Sequence, residues 1–135
     1  MADLAASAAQ HLNIVLMEDS QDHQLIINIT LSMDIHVKTY IASSNREYWE
    51  IVKQGSHPDV FLISETFYGK NKTAAKDDIR INTLNVSTPF IVLTTNGAAE
   101  EEQAFREAGA IGVIVKPFNP LTLTTEIRRI LREHD

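Results

Sequence analysis

Four apolar runs in this chain each end on polar residues able to do chemistry. Glu18 and Asp19 follow residues 13–17, Ser64, Glu65 and Thr66 follow residues 60–63, Thr94 and Thr95 follow residues 89–93, and Lys116 follows residues 111–115. Two adjacent acids suit a hard divalent cation, and a lysine with threonine hydroxyls suits the charge of a phosphoryl group. Each group alone is what strand ends commonly carry, because polar residues gather where chains turn. Brought to one place, they would make a single pocket of carboxylates, hydroxyls and an ammonium.

The elements between them supply the means. Residues 13–17, 60–63 and 89–93 are nearly continuous apolar runs, the pattern of strands covered on both faces. Residues 36–42 alternate and read as an edge strand, and residues 111–115 make a fifth strand. Leu25, Ile26, Ile29 and Met33 recur at helical spacing over residues 21 to about 33 and read as a first helix. Ser44 and Glu47 form a capping-box pattern opening a second helix, with Tyr48, Ile51 and Val52 on one face and a stop at Gly55. Residues 66–78 read as a polar loop running into a short helix through Ile79 and Leu84. Residues 98–108 make a fourth helix ended by Gly109, and a fifth opens at Asn119-Pro120, with Leu123, Ile127, Ile130 and Leu131 facing inward. Strand and helix repeated five times imply an α/β fold, a doubly wound parallel sheet, whose strand carboxyl ends collect the polar groups.

Composition excludes several classes. At 135 residues the chain is one domain, expected as 12–135 behind a leader of residues 1–11. There is no cysteine, which removes disulfides, thiolate metal sites and cysteine nucleophiles. The net charge of −6 disfavours broad binding to a phosphate backbone, so no direct nucleic-acid binding is expected. No membrane contact is expected either, since the apolar run 110–115 falls far short of the ~20 residues of a span, and the location expected is cytoplasmic. The five histidines show no ligand spacing, and no glycine-rich phosphate loop follows the first strand.

Residues 14–20, Ile-Val-Leu-Met-Glu-Asp-Ser, residues 89–95, Pro-Phe-Ile-Val-Leu-Thr-Thr, and residues 109–118, ending in Val115-Lys116-Pro117-Phe118, resemble the receiver domains of response regulators in two-component signalling. The resemblance covers nearly all of residues 12–133. It implies a flavodoxin-like receiver fold with strand order 2-1-3-4-5. Glu18, Asp19 and the main-chain carbonyl of Thr66 are then the positions of the metal site, and Thr94 and Lys116 those that sense phosphate. In that register Ser64 stands where the family carries its phosphoacceptor aspartate, 30 residues before Thr94, which is 22 before Lys116. Val113 stands where a switching aromatic usually sits.

A serine is neutral and a weak nucleophile without a base. The reading that follows is a pseudo-receiver: a non-enzymatic signalling module acting by protein–protein contact without aspartyl phosphorylation. It has no cofactor, and magnesium is held weakly if at all. The alternatives are a phosphorelay receiver using Ser64 or Glu65 as acceptor, or the receiver or dimerisation domain of a longer transcriptional regulator. The partner expected is a signalling protein or sensor kinase. The working surface expected is the fourth helix, fifth strand and fifth helix: Glu101, Glu102, Arg106, Ile111, Val113, Arg128, Arg129 and Arg132. Through it two copies could pair, the acids of one meeting the arginines of the other.

Overall fold

Strands without a polar face must be shielded on both sides, and the apolar runs of this chain are placed accordingly. The computed structural model describes residues 11–54, 58–70 and 88–134, without the side chains at 45, 48, 49, 52 and 68–70. Strands β1 (Leu12–Met17), β3 (Val60–Ser64) and β4 (Phe90–Thr94) form the almost wholly buried centre. Strands β2 (Val37–Ala42) and β5 (Gly112–Val115) flank it. All pair in parallel in the order β2-β1-β3-β4-β5, the doubly wound sheet anticipated.

Alternation along the strands divides the core into two layers. Ile14, Leu16, Leu62, Ile91 and Leu93 face helices α1 (Gln21–Leu31) and α5 (Leu123–His134). Val15, Met17, Phe61, Ile63 and Val92 face the other side. There they meet Ile51 of α2 (Asn45–Lys53), Phe67 of α3 (Glu65–Lys70) and Phe105 of α4 (Ala99–Glu107). Gly109 ends α4 with φ 115°, a conformation glycine adopts without strain. Among the described residues, no helix is long and apolar enough to cross a membrane.

The packing decides which face of α1 is buried and corrects one expectation. The face of α1 that meets the sheet is Ile27, Thr30 and Leu31, whereas Leu25, Ile26, Ile29 and Met33 are 55–61% exposed. Two apolar stripes fit helical spacing on this element, and the sheet takes the one containing a threonine. Burial of Thr30 is tolerated because its hydroxyl donates to the Ile26 carbonyl at 2.8 Å. Residues 65–70 are helical rather than loop. The Ser64 hydroxyl accepts the Phe67 N–H at 3.1 Å, a side-chain cap, and Phe67 then docks fully buried. The remainder of that segment, with Ile79 and Leu84, lies outside the described residues, as do residues 1–10 of the expected leader, Gly55, and the side chains of Tyr48 and Val52. The capping box at α2 is present in altered form. Ser44 Oγ accepts the Glu47 N–H, and the Glu47 carboxylate reaches back to the N–H of Ser43.

Candidate functional site

The carboxyl edge of the sheet gathers the polar groups because β1, β3, β4 and β5 all end there. Glu18 leaves β1 fully buried and is satisfied twice. One oxygen accepts the Ser20 N–H at 3.2 Å, and the other lies 3.1 Å from Lys116 Nζ. Lys116, just beyond β5, also approaches Nδ1 of His23 at 3.1 Å. An ammonium can only donate, so the imidazole accepts there and carries its proton on Nε2. His23, set aside on sequence grounds for want of a paired ligand, therefore belongs to this cluster. Its own N–H donates to the Ser20 hydroxyl that caps α1. The Lys116–Pro117 peptide is cis.

A second cluster joins β1 to β3. Thr66 Oγ1 donates to Asp19 at 2.9 Å and stands 3.2 Å from Ser64 Oγ. A hydroxyl has one hydrogen, so Thr66 must accept from Ser64, giving a chain from Ser64 through Thr66 to the Asp19 carboxylate. Ser64 itself is 1% exposed.

The third cluster ties β3 to β4. Glu65, the first residue of α3, accepts both the N–H and the hydroxyl of Thr95 at 2.8 Å. Partial burial pushes its carboxyl up. The Thr95 N–H and hydroxyl, the Thr94 hydroxyl and the charge of Lys116 outweigh that and hold it below the usual carboxylate range. Thr94 is fully buried, and its hydroxyl also accepts the Asn96 N–H at 3.0 Å. The sequence named Glu65 and Thr95 as strand-end residues; their clasp across 30 residues has no signature in local pattern.

A divalent cation needs several oxygens at once. Among the described residues, no group of three or more His, Asp or Glu side chains is assembled to hold one. The place a cation would take against Glu18 is filled by the Lys116 ammonium. As arranged, these residues do not fit a magnesium ion.

The residues named for the working surface are only partly brought together. Glu102, Arg106, Ile111, Val113, Arg129 and Ile130 border one groove between α4 and α5. Glu101 and Arg132 are exposed on those helices. Arg128 departs: it pairs with Asp34 at 3.4 Å, on the side of α1.

No protein-family model matches the chain. It is 25% identical over 124 residues to the chemotaxis protein CheY1 of Helicobacter pylori, covering 92% of this chain and all of that one. It is 24% identical to the phosphate regulon transcriptional regulatory protein PhoB of Pseudomonas aeruginosa, over 88% of this chain and 51% of that protein. The chemotaxis response regulator CheY4 of Vibrio cholerae superposes with a TM-score of 0.74 at 26% identity, over 90% of this chain and 99% of that one. The likeness is to signalling modules rather than to classical enzymes.

These relatives correct the expectation of a pseudo-receiver defined by serine and acting without phosphorylation. They are chemotaxis response regulators and a transcriptional regulatory protein, and the acids of the pocket, Glu18, Asp19 and Glu65, are in place beside Thr66, Thr95 and Lys116. The β3 segment also retains an aspartate, Asp59. It precedes the strand, its carboxylate accepting the Asn13 N–H at 2.7 Å, roughly 16 Å along the strand from Ser64. The acid of this segment at the carboxyl edge is Glu65. With this topology, this edge and these relatives, the chain has the flavodoxin-like fold of a response-regulator receiver domain and is similar in sequence to chemotaxis response regulators.

Proposed function

We propose that the chain is a phosphorylatable receiver module, taking a phosphoryl group onto a carboxylate of the strand-edge pocket and relaying the event by protein contact. The observation that supports this reading is the setting of Glu65. It is an ionised carboxylate beside the Thr94 and Thr95 hydroxyls, the Thr95 N–H and the charge of Lys116. An ionised carboxylate attacks phosphorus without a base, whereas Ser64 is buried and neutral. A Glu65 oxygen forms the new bond to phosphorus as the donor's P–N or P–O bond breaks, and the leaving group departs with the electron pair. The donors that now hold the carboxylate are the ones in reach of the phosphoryl oxygens.

A sensor kinase carrying phosphohistidine is the partner this chemistry implies, with the cytoplasm as its setting. Val113 and the α4–α5 groove are assigned to the downstream protein partner. Similarity to about half of PhoB favours a second reading, in which such a module serves within a larger regulator.

The test is intact mass after incubation with acetyl phosphate, with and without magnesium. One added phosphate, released by hydroxylamine, is expected in the wild type, in Ser64→Ala and in Asp59→Asn, and is lost in Glu65→Gln. Loss in Asp59→Asn instead moves the acceptor to Asp59, and no labile phosphate in the wild type overturns the reading.

A further inference from the structure

Asn96 is the one asparagine of the chain that is followed by glycine. The pair lies exposed in the turn between β4 and α4, at the edge that carries the pocket. Glycine puts no side chain between its own amide nitrogen and the neighbouring carboxamide, so the two can approach closely. Among the described residues nothing accepts the Gly97 N–H. The carboxamide is already turned forward along the chain, where Asn96 Oδ1 accepts the Ala98 N–H at 3.0 Å. The main chain is pinned behind it, because the Asn96 N–H donates to the hydroxyl of the buried Thr94 at 3.0 Å.

We propose that Asn96 is a site of spontaneous deamidation in the folded protein, converting to aspartate and isoaspartate and changing the pocket as the protein ages. The Gly97 nitrogen gives up its proton and bonds to Cγ of Asn96. The side-chain nitrogen takes a proton and leaves as ammonia, which closes a succinimide ring. Water then opens the ring at one or other carbonyl, leaving a carboxylate and a released proton. The Ala98 N–H stands against the oxygen on which negative charge develops during the attack. Asn119 shows what selects Asn96. Its Oδ1 accepts the Leu121 N–H at 2.9 Å, the same arrangement, but the residue after it is Pro120, whose nitrogen has no hydrogen to give up. Asn13 and Asn28, with the residues that follow them, are held within β1 and α1.

The change reaches the pocket through Thr94. Its hydroxyl faces the Asn96 carbonyl at 3.4 Å and is also one of the donors to Glu65. In the isoaspartyl product the chain runs on through the former side chain, and that carbonyl becomes a carboxylate, a stronger acceptor. The single hydrogen of the Thr94 hydroxyl then turns to it, and Glu65 loses a donor. This consequence rests on Glu65 as the acceptor of phosphate; the deamidation itself does not.

Peptide mapping by mass spectrometry tests it, on the full chain kept folded for days in neutral buffer, with methylation by an isoaspartate methyltransferase as a second readout. The peptide holding Asn96 should gain the mass of an amide-to-acid exchange and take the methyl label, while the peptide holding Asn119 stays unchanged. Gly97→Ala should slow the conversion severalfold. Ala98→Pro removes the N–H that faces Oδ1, and proline fits the φ of −65° found there, so it should slow the conversion with the circular dichroism unchanged. The isolated isoaspartyl form should take phosphate from acetyl phosphate severalfold more slowly than fresh protein. An unchanged Asn96 peptide, or equal conversion at Asn96 and Asn119, overturns the site, and an Ala98→Pro variant that converts as fast as wild type overturns the part given to the Ala98 N–H. Equal phosphorylation of the aged and fresh forms overturns the consequence for the pocket. Fresh protein that takes no phosphate counts against Glu65 as acceptor, and the peptide result still decides the deamidation.

Discussion

The outward face of α1 and the surface formed by α4, β5 and α5 are built from opposite materials. The first is apolar and almost uncharged. The second is a field of charges already engaged within one molecule. Arg106 pairs with Glu102 and donates to the Ile111 carbonyl, and Arg129 is held between Glu126 and Glu133. For two copies to join by ion pairs across α4 and α5, the pairs inside each would have to break, and exposed pairs return little for that exchange. A charged helix looks ready for a partner and an apolar helix looks ready for the core. Here each appearance misleads, since charge is satisfied locally and apolar surface is not.

The sharpest way to break this contrast is within α1 itself. Ile26 and Ile27 are adjacent and alike in sequence, yet Ile27 is buried and Ile26 is exposed. Ile27→Ala is expected to cost about 2–5 kcal/mol of stability in urea unfolding, by lost burial and the cavity left behind. Ile26→Ala, measured on dilute protein, should stay within about 0.5 kcal/mol. Equal losses would mean that the outward stripe is part of the core after all.

A smaller effect is expected on the opposite flank. A Cβ built at Gly112 lies 2.8 Å from Cγ2 of Ile130, so β5 and α5 approach as closely as they do because this position has no side chain. Gly112→Ala should destabilise by about 1–3 kcal/mol through overpacking. Adding Ile130→Val, which shortens the opposing side chain, should recover part of that loss. No recovery would place the strain elsewhere.

What the sequence conveyed follows from how local each signal is. The buried runs of β1, β3 and β4 and the alternation of β2 announce themselves within five or six residues, so the strands and the doubly wound layering were legible, as were the strand-end polar groups, while the strand order came only with the resemblance to receiver domains. The choice between two apolar stripes on α1 was not. Both satisfy the helical period, and the decision depends on which stripe Ile14, Leu16 and Leu62 can receive. The Ser64 cap of α3 leaves one local signal, the three-residue spacing from Ser64 to Phe67. His23 and the Glu65–Thr95 clasp depend on contacts between distant strand ends, which no window along the chain contains.

The smallest effect is expected among the charges of α5, and its pH dependence separates the two faces in kind. The Arg129 hydrogen bond, reinforced by the arginine's charge and opposed by partial burial, holds the Glu126 carboxyl below its usual range. A carboxyl depressed on folding contributes stability that is complete above its unfolded value and is lost as pH falls through the folded one. Arg129→Ala should therefore lower the thermal midpoint slightly at neutral pH, with the gap to wild type closing as pH falls below the ordinary glutamate range and Glu126 protonates in both. Both side chains are more than two-fifths exposed, so solvent and salt screen the pair, and high salt should close the gap as well. A gap that survives acid and salt would assign the effect to packing of the arginine stem.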